Sequence, residues 1–282
     1  TELVEAFYEG DTLYPRRCRA DLGAAIPSIL KRYRGSNDFA RATLPTILGA
    51  DRLAAATTFA ATELRSGVFL SQPDGRYQFV PWPHEAQIAP ANGLVAGDFD
   101  GDGHADLYVV HNTYAPAPAI GRFDGGVSQL LRGDGHGGFT PVAPAASGLV
   151  VPGDAKALAV LDLDADGWPD FVVSRNNDAT LAFRNRGIAG RHSLRVVLAG
   201  AAPGNPTAIG ACVTAEYTDG TTAAAEVCAG SGCASQSTAA LFFGSTEENP
   251  LRRLHVLWPS GVTTTHEIAG PLPAALRFRE AQ

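Results

Sequence analysis

The sequence lacks methionine entirely, has only four cysteines among its 282 residues, and contains no long apolar run. A helix that crosses a bilayer needs about 20 mainly apolar residues, so we expect no transmembrane segment. The 22 basic residues do not outnumber the 29 acidic ones and form no patch suited to a phosphate backbone, so nucleic acid is not an expected partner. Because a precursor begins with methionine, we expect Thr1 to follow a removed or omitted segment. Any signal peptide would have been part of that segment.

The sequence also lacks the short motifs of the common catalytic sites. The seven histidines form no HExxH pair and no cysteine has a CxxC partner, which argues against a zinc site. Neither a GxSxG elbow nor a phosphate-binding glycine loop is present. We therefore expect no catalytic activity. A glycan-active enzyme is the least favoured alternative, because Glu226 and Glu247 are the only hints of a carboxylate pair.

Two segments share one spacing of aspartates. Residues 98–106 read DFDGDGHAD and residues 162–170 read DLDADGWPD; we name them the first and second aspartate loops. Alternate carboxylates with a glycine at the sixth position are typical of a calcium loop, because calcium takes about six to eight oxygen ligands. The predicted ligands are Asp98, Asp100, Asp102, the carbonyl of His104 and Asp106 in the first loop, and Asp162, Asp164, Asp166, the carbonyl of Trp168 and Asp170 in the second. The sequence therefore predicts two calcium ions.

The surroundings of these loops exclude an EF-hand. The twelfth position, where an EF-hand needs a bidentate glutamate, is Val109 in one loop and Val173 in the other. The flanks are short apolar runs rich in β-branched residues, so each loop is expected to join two strands. The alternative is a pair of polar hairpin turns without metal. We favour the metal, because eight aspartates in two turns would repel one another without a cation.

An internal repeat surrounds the loops. GVFLSQPDGRYQFVP at 67–81 matches VSQLLRGDGHGGFTP at 127–141, and the equivalent residues Asp98 and Asp162 lie 64 residues apart. A repeat of this size can supply the four short strands of a β-propeller blade. The tripeptide Arg132-Gly133-Asp134 falls at the glycine-rich turn of this repeat, so turn chemistry explains it better than cell adhesion does.

The pattern DxDxDGxxD between apolar strands, with a glycine-rich turn in each repeat, resembles the FG-GAP, or VCBS, repeat of integrin-α-type β-propellers. The resemblance covers roughly residues 67–186 and implies that each calcium ion is held in a loop of a blade.

Beyond this region the texture changes, and the chain resembles an ASPIC/UnbV domain. In secreted bacterial relatives of cartilage acidic protein, such a domain follows FG-GAP repeats. The residues that carry the resemblance are Asn205, Gly210, Ala211, Val213, Glu226, Val227, Gly230, Gly232, Ser235, Gln236, Phe243, Gly244, Val256, Trp258, Pro259, Ser260 and Gly261. Ala208 and Phe242 depart from the family pattern, which puts a shared ligand site in doubt but not the fold.

The predicted fold is mainly β. We expect a propeller strand segment at 1–20, a short helical insertion at 21–66, FG-GAP/VCBS blades of an integrin-α-like propeller with both calcium loops at 67–190, and a β-sandwich-like ASPIC/UnbV domain at 191–282. Propellers typically have about four to eight blades, and the repeat supplies about two. Other blades are therefore expected from a longer precursor or from another polypeptide.

The segment ACVTAEYTDGTTAAAEVC predicts a hairpin about Asp219-Gly220. Because Cys212 and Cys228 would lie near opposite positions of it, we predict a disulfide between them, with Cys228–Cys233 as the alternative.

Aspartate and carbonyl ligands suit compartments with high calcium, so we expect a secreted protein that is extracellular or periplasmic. The expected function is a calcium-stabilised recognition or adhesion scaffold without catalytic activity that binds a protein or a glycan. The alternative is a structural or accessory subunit of a larger extracellular or periplasmic complex.

Overall fold

The computed structural model describes residues 2–116, 121–201 and 204–281. As the sequence predicted, it is mainly β, with 38% strand and 13% helix. No helix within the described residues is long and apolar enough to span a membrane. The chain divides into two units, Thr1–Leu64 and Arg65–Gln282, and each is described by itself.

The first unit combines a hairpin with short helices. Its elements are β1 (Ala6–Glu9), β2 (Thr12–Pro15), α1 (Arg19–Ala25), α2 (Pro27–Arg32), α3 (Ser36–Ala40), α4 (Leu44–Leu48) and α5 (Ala50–Ala54). Pro27 and Pro45 lie in first turns, where the missing N–H costs no helical hydrogen bond. Leu22, Ile29 and Phe39 form the centre of the unit's core. The last helix ends at Ala54, earlier than the predicted insertion at 21–66.

The second unit begins with three antiparallel sheets. Their elements are β3 (Gly67–Ser71), β4 (Tyr77–Pro81), a 3₁₀ turn (His84–Gln87), β5 (Ala91–Gly97), β6 (Asp106–His111), β7 (Gln129–Gly133), β8 (Phe139–Val142), α6 (Pro144–Ser147), β9 (Ala155–Leu161), β10 (Asp170–Arg175) and β11 (Asp178–Phe183). The sheet orders are β3-β4, β5-β6-β7-β8 and β11-β10-β9. The first aspartate loop joins β5 to β6, and the second joins β9 to β10. The prediction that each loop joins two strands is therefore confirmed.

These sheets pack on each other through an aromatic core. Strand β9 lies against β5 and β6, and the ring of Phe171 on β10 contacts Phe99 and Tyr108, with centroids 4.9 and 4.6 Å apart. Val95 and Leu158 are buried in the same cluster. The strands that flank the two aspartate loops thus lie in one four-stranded and one three-stranded sheet. Within the described residues the sheets form no closed barrel, and they do not by themselves show the predicted propeller.

The remaining strands form two sheets around a second core. The strands are β12 (Arg191–Ala199), β13 (Cys212–Tyr217), β14 (Thr222–Glu226), β15 (Leu241–Thr246), β16 (Leu251–Leu257), β17 (Thr263–Glu267) and β18 (Ala275–Arg279). The sheet orders are β15-β12-β18 and β14-β13-β16-β17. Alternate residues of both sheets, such as Leu194, Val213 and Leu254, are buried in one cluster. Trp258 is also buried, and its Nε1 donates to Oγ1 of Thr264 at 3.0 Å.

The hairpin about Asp219-Gly220 is confirmed, but its register differs from the one that the predicted disulfide needs. Tyr217 N–H donates to the carbonyl of Thr221, and Gly220 has a φ of 86°, as in a three-residue hairpin loop closed by a left-handed residue. Cys212 consequently lies opposite Glu226 rather than Cys228. All four cysteines are free thiols, and the disulfide stays a prediction.

Candidate metal centre

The first aspartate loop is wound around the carboxylate of Asp98. Its Oδ1 accepts from the N–H of Gly101 at 2.7 Å, and its Oδ2 accepts from the N–H of Gly103 at 2.7 Å. Asp102 in turn accepts from the N–H of His104 at 2.9 Å. Gly101 and Gly103 have φ values of 78° and 89°, a region that residues with a Cβ rarely adopt. The glycines therefore allow the backbone to turn tightly enough to direct the aspartates inward.

Three carboxylates of this loop converge. Asp98, Asp100 and Asp102 each offer an oxygen, and these oxygens lie within 4.8 Å of one another. Since calcium–oxygen distances are about 2.3–2.6 Å, a single ion could reach all three. Both oxygens of Asp100 are buried without a hydrogen bond of ordinary geometry. The all-carboxylate donor set fits a hard cation, and both Asp100 oxygens already lie within ion-pair distance of an arginine.

The second aspartate loop repeats this geometry. Asp162 accepts from the N–H groups of Asp166 and Gly167, both at 3.2 Å, and Asp166 accepts from the N–H of Trp168 at 2.9 Å. Gly167 has a φ of 92°. Oxygens of Asp162, Asp164 and Asp166 again lie within 4.8 Å of one another. The two loops are therefore structurally equivalent, as their sequences predicted.

The last aspartate of each loop is placed differently from the other three. The carboxylate of Asp106 accepts from the N–H of Phe99 at 3.0 Å and from that of Gly133 at 2.9 Å. The equivalent contacts in the second loop, both at 2.7 Å, join Asp170 to the N–H groups of Leu163 and Asn185. Both oxygens are thus engaged by backbone, and neither residue belongs to a three-carboxylate cluster. Asp106 and Asp170 fasten their loops to the strand that follows in the sheet.

Burial makes the negative charges of the first loop costly. It raises the pKa of Asp98 to about 7, helped by the charges of Asp102 and Asp106 and opposed by the N–H of Gly103. Burial also raises the pKa of Asp106 to about 6 and that of Asp102 above its usual range. In the second loop, burial raises the pKa of Asp170 in the same direction. The loops therefore concentrate more negative charge than their surroundings favour.

Arginines that the sequence analysis did not single out as site residues contact both clusters. Nε of Arg132 lies 2.7 Å from Oδ2 of Asp100, and Arg184 forms the equivalent ion pair with Asp164. Each of these arginines directly precedes the residue whose N–H binds the last aspartate of the loop. That position in the repeat is the signal that could have identified them.

The same geometry accounts for the tripeptide 132–134. Its arginine contacts the first loop, and Asp134 accepts from the N–H groups of His136 and Gly138 at 2.7 and 2.9 Å. These are turn contacts, as expected for a glycine-rich turn.

Strand β12 supplies two further arginines. Nη1 of Arg191 lies 2.5 Å from Oδ1 of Asp100, and Nη1 of Arg195 lies 2.9 Å from Oδ2 of Asp162. Their sequence separation from the loops is large, so no local pattern points to them.

Other residues of the C-terminal sheets lie directly on the loops. Oγ of Ser193 donates to the carbonyl of Gly167 at 2.9 Å. A Cβ at Gly244 would overlap Oδ2 of Asp98 and lie 2.5 Å from Cα of Gly101. Only glycine therefore fits at position 244 without movement of the first loop.

A cavity of about 420 Å³ lies beside the first aspartate loop. It is bounded by β5, by the edge strand β14, by β15 and by residues 236–240. Most lining side chains are apolar, with Glu226, Ser231 and Gln236 among the polar ones. Several of the residues that carry the ASPIC/UnbV resemblance thus line this cavity.

Comparison with known families identifies one part of the chain. The family described as ASPIC and UnbV matches residues 201–271, which include strands β13 to β17. This match supports the predicted identity of the C-terminal domain and does not extend to the aspartate loops. No curated protein matches the chain.

Proposed function

We propose that this protein is a calcium-stabilised, secreted recognition scaffold without catalytic activity, and that its ligand is a protein or a glycan. The observation that supports the proposal is the pair of equivalent loops, each of which brings three carboxylate oxygens within 4.8 Å of one another. Oxygen-only ligands at this spacing are what calcium requires.

In this proposal the six converging aspartates hold the ions. They are Asp98, Asp100 and Asp102 in the first loop, and Asp162, Asp164 and Asp166 in the second. A bound ion would offset the repulsion among carboxylates that burial strengthens. Asp106 and Asp170 would keep each loop attached to its sheet, and the positive-φ glycines would keep it tightly turned. The role of the ion is structural.

We place ligand recognition at the cavity beside the first loop. Binding sites are typically concave and mainly apolar with a few polar groups, and this cavity has that character. Because the first aspartate loop contributes Asp98, Gly103 and His104 to its wall, calcium would fix one side of the recognition site.

We further infer that the four-stranded sheet β5-β6-β7-β8 is one blade of an FG-GAP propeller. Strands β9, β10 and β11 would belong to the next blade, and β3 and β4 to the preceding one. Unpaired sheet edges recruit further strands, so additional blades from elsewhere would complete the array. In the alternative, in which the protein is an accessory subunit of a larger complex, the same sheet edges would contact the other subunits.

An enzymatic role has less support from the structure. Glu226 ends β14 and Glu247 follows β15, and both are exposed. A general acid in a glycosidase needs a site that raises its pKa, usually by burial. We therefore favour recognition over catalysis.

Calcium titration of the full chain tests the proposal. At a hundredfold excess over Kd, each occupied site adds about 2.7 kcal/mol to the free energy of unfolding. We expect a melting temperature that rises by roughly 5–10 °C relative to EDTA and calorimetric binding of two ions.

Matched variants localise the effect. Asp102→Asn and Asp166→Asn should each remove one ion, whereas Asp124→Asn, an exposed control, should retain both. Equal melting in calcium and EDTA, with no heat of binding, would contradict the proposal.

A further inference from the structure

Strand β12 presents three side chains to the aspartate loops. Arg191, Ser193 and Arg195 share one face because strand side chains alternate, and the intervening residue Leu194 is buried in the C-terminal core. One arginine enters each loop, and Ser193 between them donates to Gly167 of the second loop. A single strand of the C-terminal domain thus reaches both candidate metal centres.

The two arginines contact oxygens that a cation would use. Nη1 of Arg191 lies 2.5 Å from Oδ1 of Asp100 and 3.6 Å from Oδ2 of Asp102. It also donates to the carbonyl of Asp100 at 3.1 Å. Nη1 of Arg195 lies 2.9 Å from Oδ2 of Asp162, whose side chain is only 1% exposed. A calcium ion bound at these oxygens would lie close to each guanidinium, and the repulsion between the like charges would oppose its binding.

These arginines are better shielded from water than the pair within the repeat. The side chains of Arg191 and Arg195 are 25% and 20% exposed, against 49% and 60% for Arg132 and Arg184. Charge interactions strengthen as water is excluded. Nε of Arg195 is moreover buried without a hydrogen-bond partner. The contact with the loop therefore engages Nη1 of Arg195 and leaves its Nε–H unsatisfied.

We propose that Arg191 and Arg195 are internal counter-ions of the aspartate loops and set the calcium affinity of the first and second loop, respectively. Calcium binding then brings a second cation to each carboxylate and weakens its ion pair with the guanidinium, which couples occupancy of the loops to the packing of β12. The inference rests on the proposed calcium binding. By linkage, the factor by which an arginine contact lowers the calcium affinity is also the factor by which bound calcium weakens that contact.

Charge-removing variants of the full chain test this assignment. Arg191→Met should tighten calcium binding at one site, and Arg195→Met at the other, each on the order of tenfold, because one nearby positive charge is removed. In EDTA both variants should unfold at lower urea concentration than the wild type, since their carboxylates have lost a counter-ion. Isothermal titration with calcium and urea unfolding in EDTA measure the two effects. Arg277→Met, exposed on β18 of the same sheet, is the control and should leave both unchanged.

Charge-conserving variants separate this role from a merely structural one. Arg191→Lys and Arg195→Lys alter the same contacts but keep the charge, so their calcium affinity should stay close to that of the wild type. If the methionine variants bind calcium with unchanged or weaker affinity while the wild type binds two ions, the counter-ion assignment is overturned and the proposed function stands. If neither the wild type nor any variant binds calcium, the proposed function itself fails.

A measurement on the wild type covers the case of variants that do not fold. The Nε–H NMR signals of the two arginines, assigned from through-bond spectra of the wild type, should shift as calcium is added. Signals that stay unshifted while calcium binds would overturn the assignment.

Discussion

Without calcium, the protein should lose stability as the pH rises from about 5 to 8. The group responsible is Asp98, whose pKa burial raises from 3.8 to about 7. A raised folded-state pKa means that the folded protein binds the proton more tightly than the unfolded chain. The stabilisation is complete below the unfolded pKa and is lost as the pH passes through the folded pKa. A shift of roughly three pKa units corresponds to about 4 kcal/mol over the whole range, of which about 2–3 kcal/mol is lost between pH 5 and pH 8.

Asp106 acts in the same direction, because its pKa is raised to about 6. Calcium should reverse the trend, since an ion that binds the carboxylates displaces their protons. The stabilisation by calcium should therefore be larger at pH 8 than at pH 5.

Urea unfolding at pH 5, 6, 7 and 8 measures this effect, once in EDTA and once in excess calcium. Asp98→Asn provides the control, because an amide cannot titrate, and its stability in EDTA should depend much less on pH. A calcium-free wild type that is more stable at pH 8 than at pH 5, or a pH dependence that Asp98→Asn leaves unaltered, would refute the reasoning.

Two further substitutions test the packing around the loops. Gly244→Ala should destabilise the protein by about 1–3 kcal/mol through overpacking and weaken calcium binding at the loop of Asp98, whereas Gly204→Ala, where a Cβ meets nothing within 4 Å, should have neither effect in urea unfolding or calcium titration. Asp170→Ala leaves two backbone N–H groups without their acceptor and should lower the free energy of unfolding by about 2–5 kcal/mol. The exposed control Asp124→Ala should lower it by less than about 1 kcal/mol. Equal losses of stability in thermal unfolding would contradict the role of Asp170 in attaching the second loop to its sheet.

The aspartate loops could be predicted because their information is local. The spacing of carboxylates and the position of glycine fix the turn within nine residues, and the apolar flanks of β5, β6, β9 and β10 fix the strands. Which aspartates face a possible ion and which accept from backbone N–H groups could not be predicted in the same way. Whether Asp106 faces an ion or a backbone N–H depends on Gly133, which a distant strand brings to it. The sequence pattern is identical in both cases.

The arginine contacts were missed for a related reason. Arg191 is separated by 91 residues from Asp100, and no sequence pattern near either residue predicts their contact. The register of the hairpin after Cys212 also differs from the one that the predicted disulfide needs. A two-residue turn at Asp219-Gly220 would place Cys212 opposite Val227 and the observed three-residue loop places it opposite Glu226, so Cys228 is not directly opposite in either register.

The contact of β12 with both loops bears on whether the C-terminal domain could be exchanged during evolution. The predicted boundary at 190/191 separates two sequence patterns, yet Arg191 and Ser193 just beyond it touch the loops on the other side. Exchange of the C-terminal domain for an unrelated one would remove these partners and open the loop carboxylates to water. Gene shuffling at this boundary would therefore be selected against, and the two patterns should pass together from one lineage to the next.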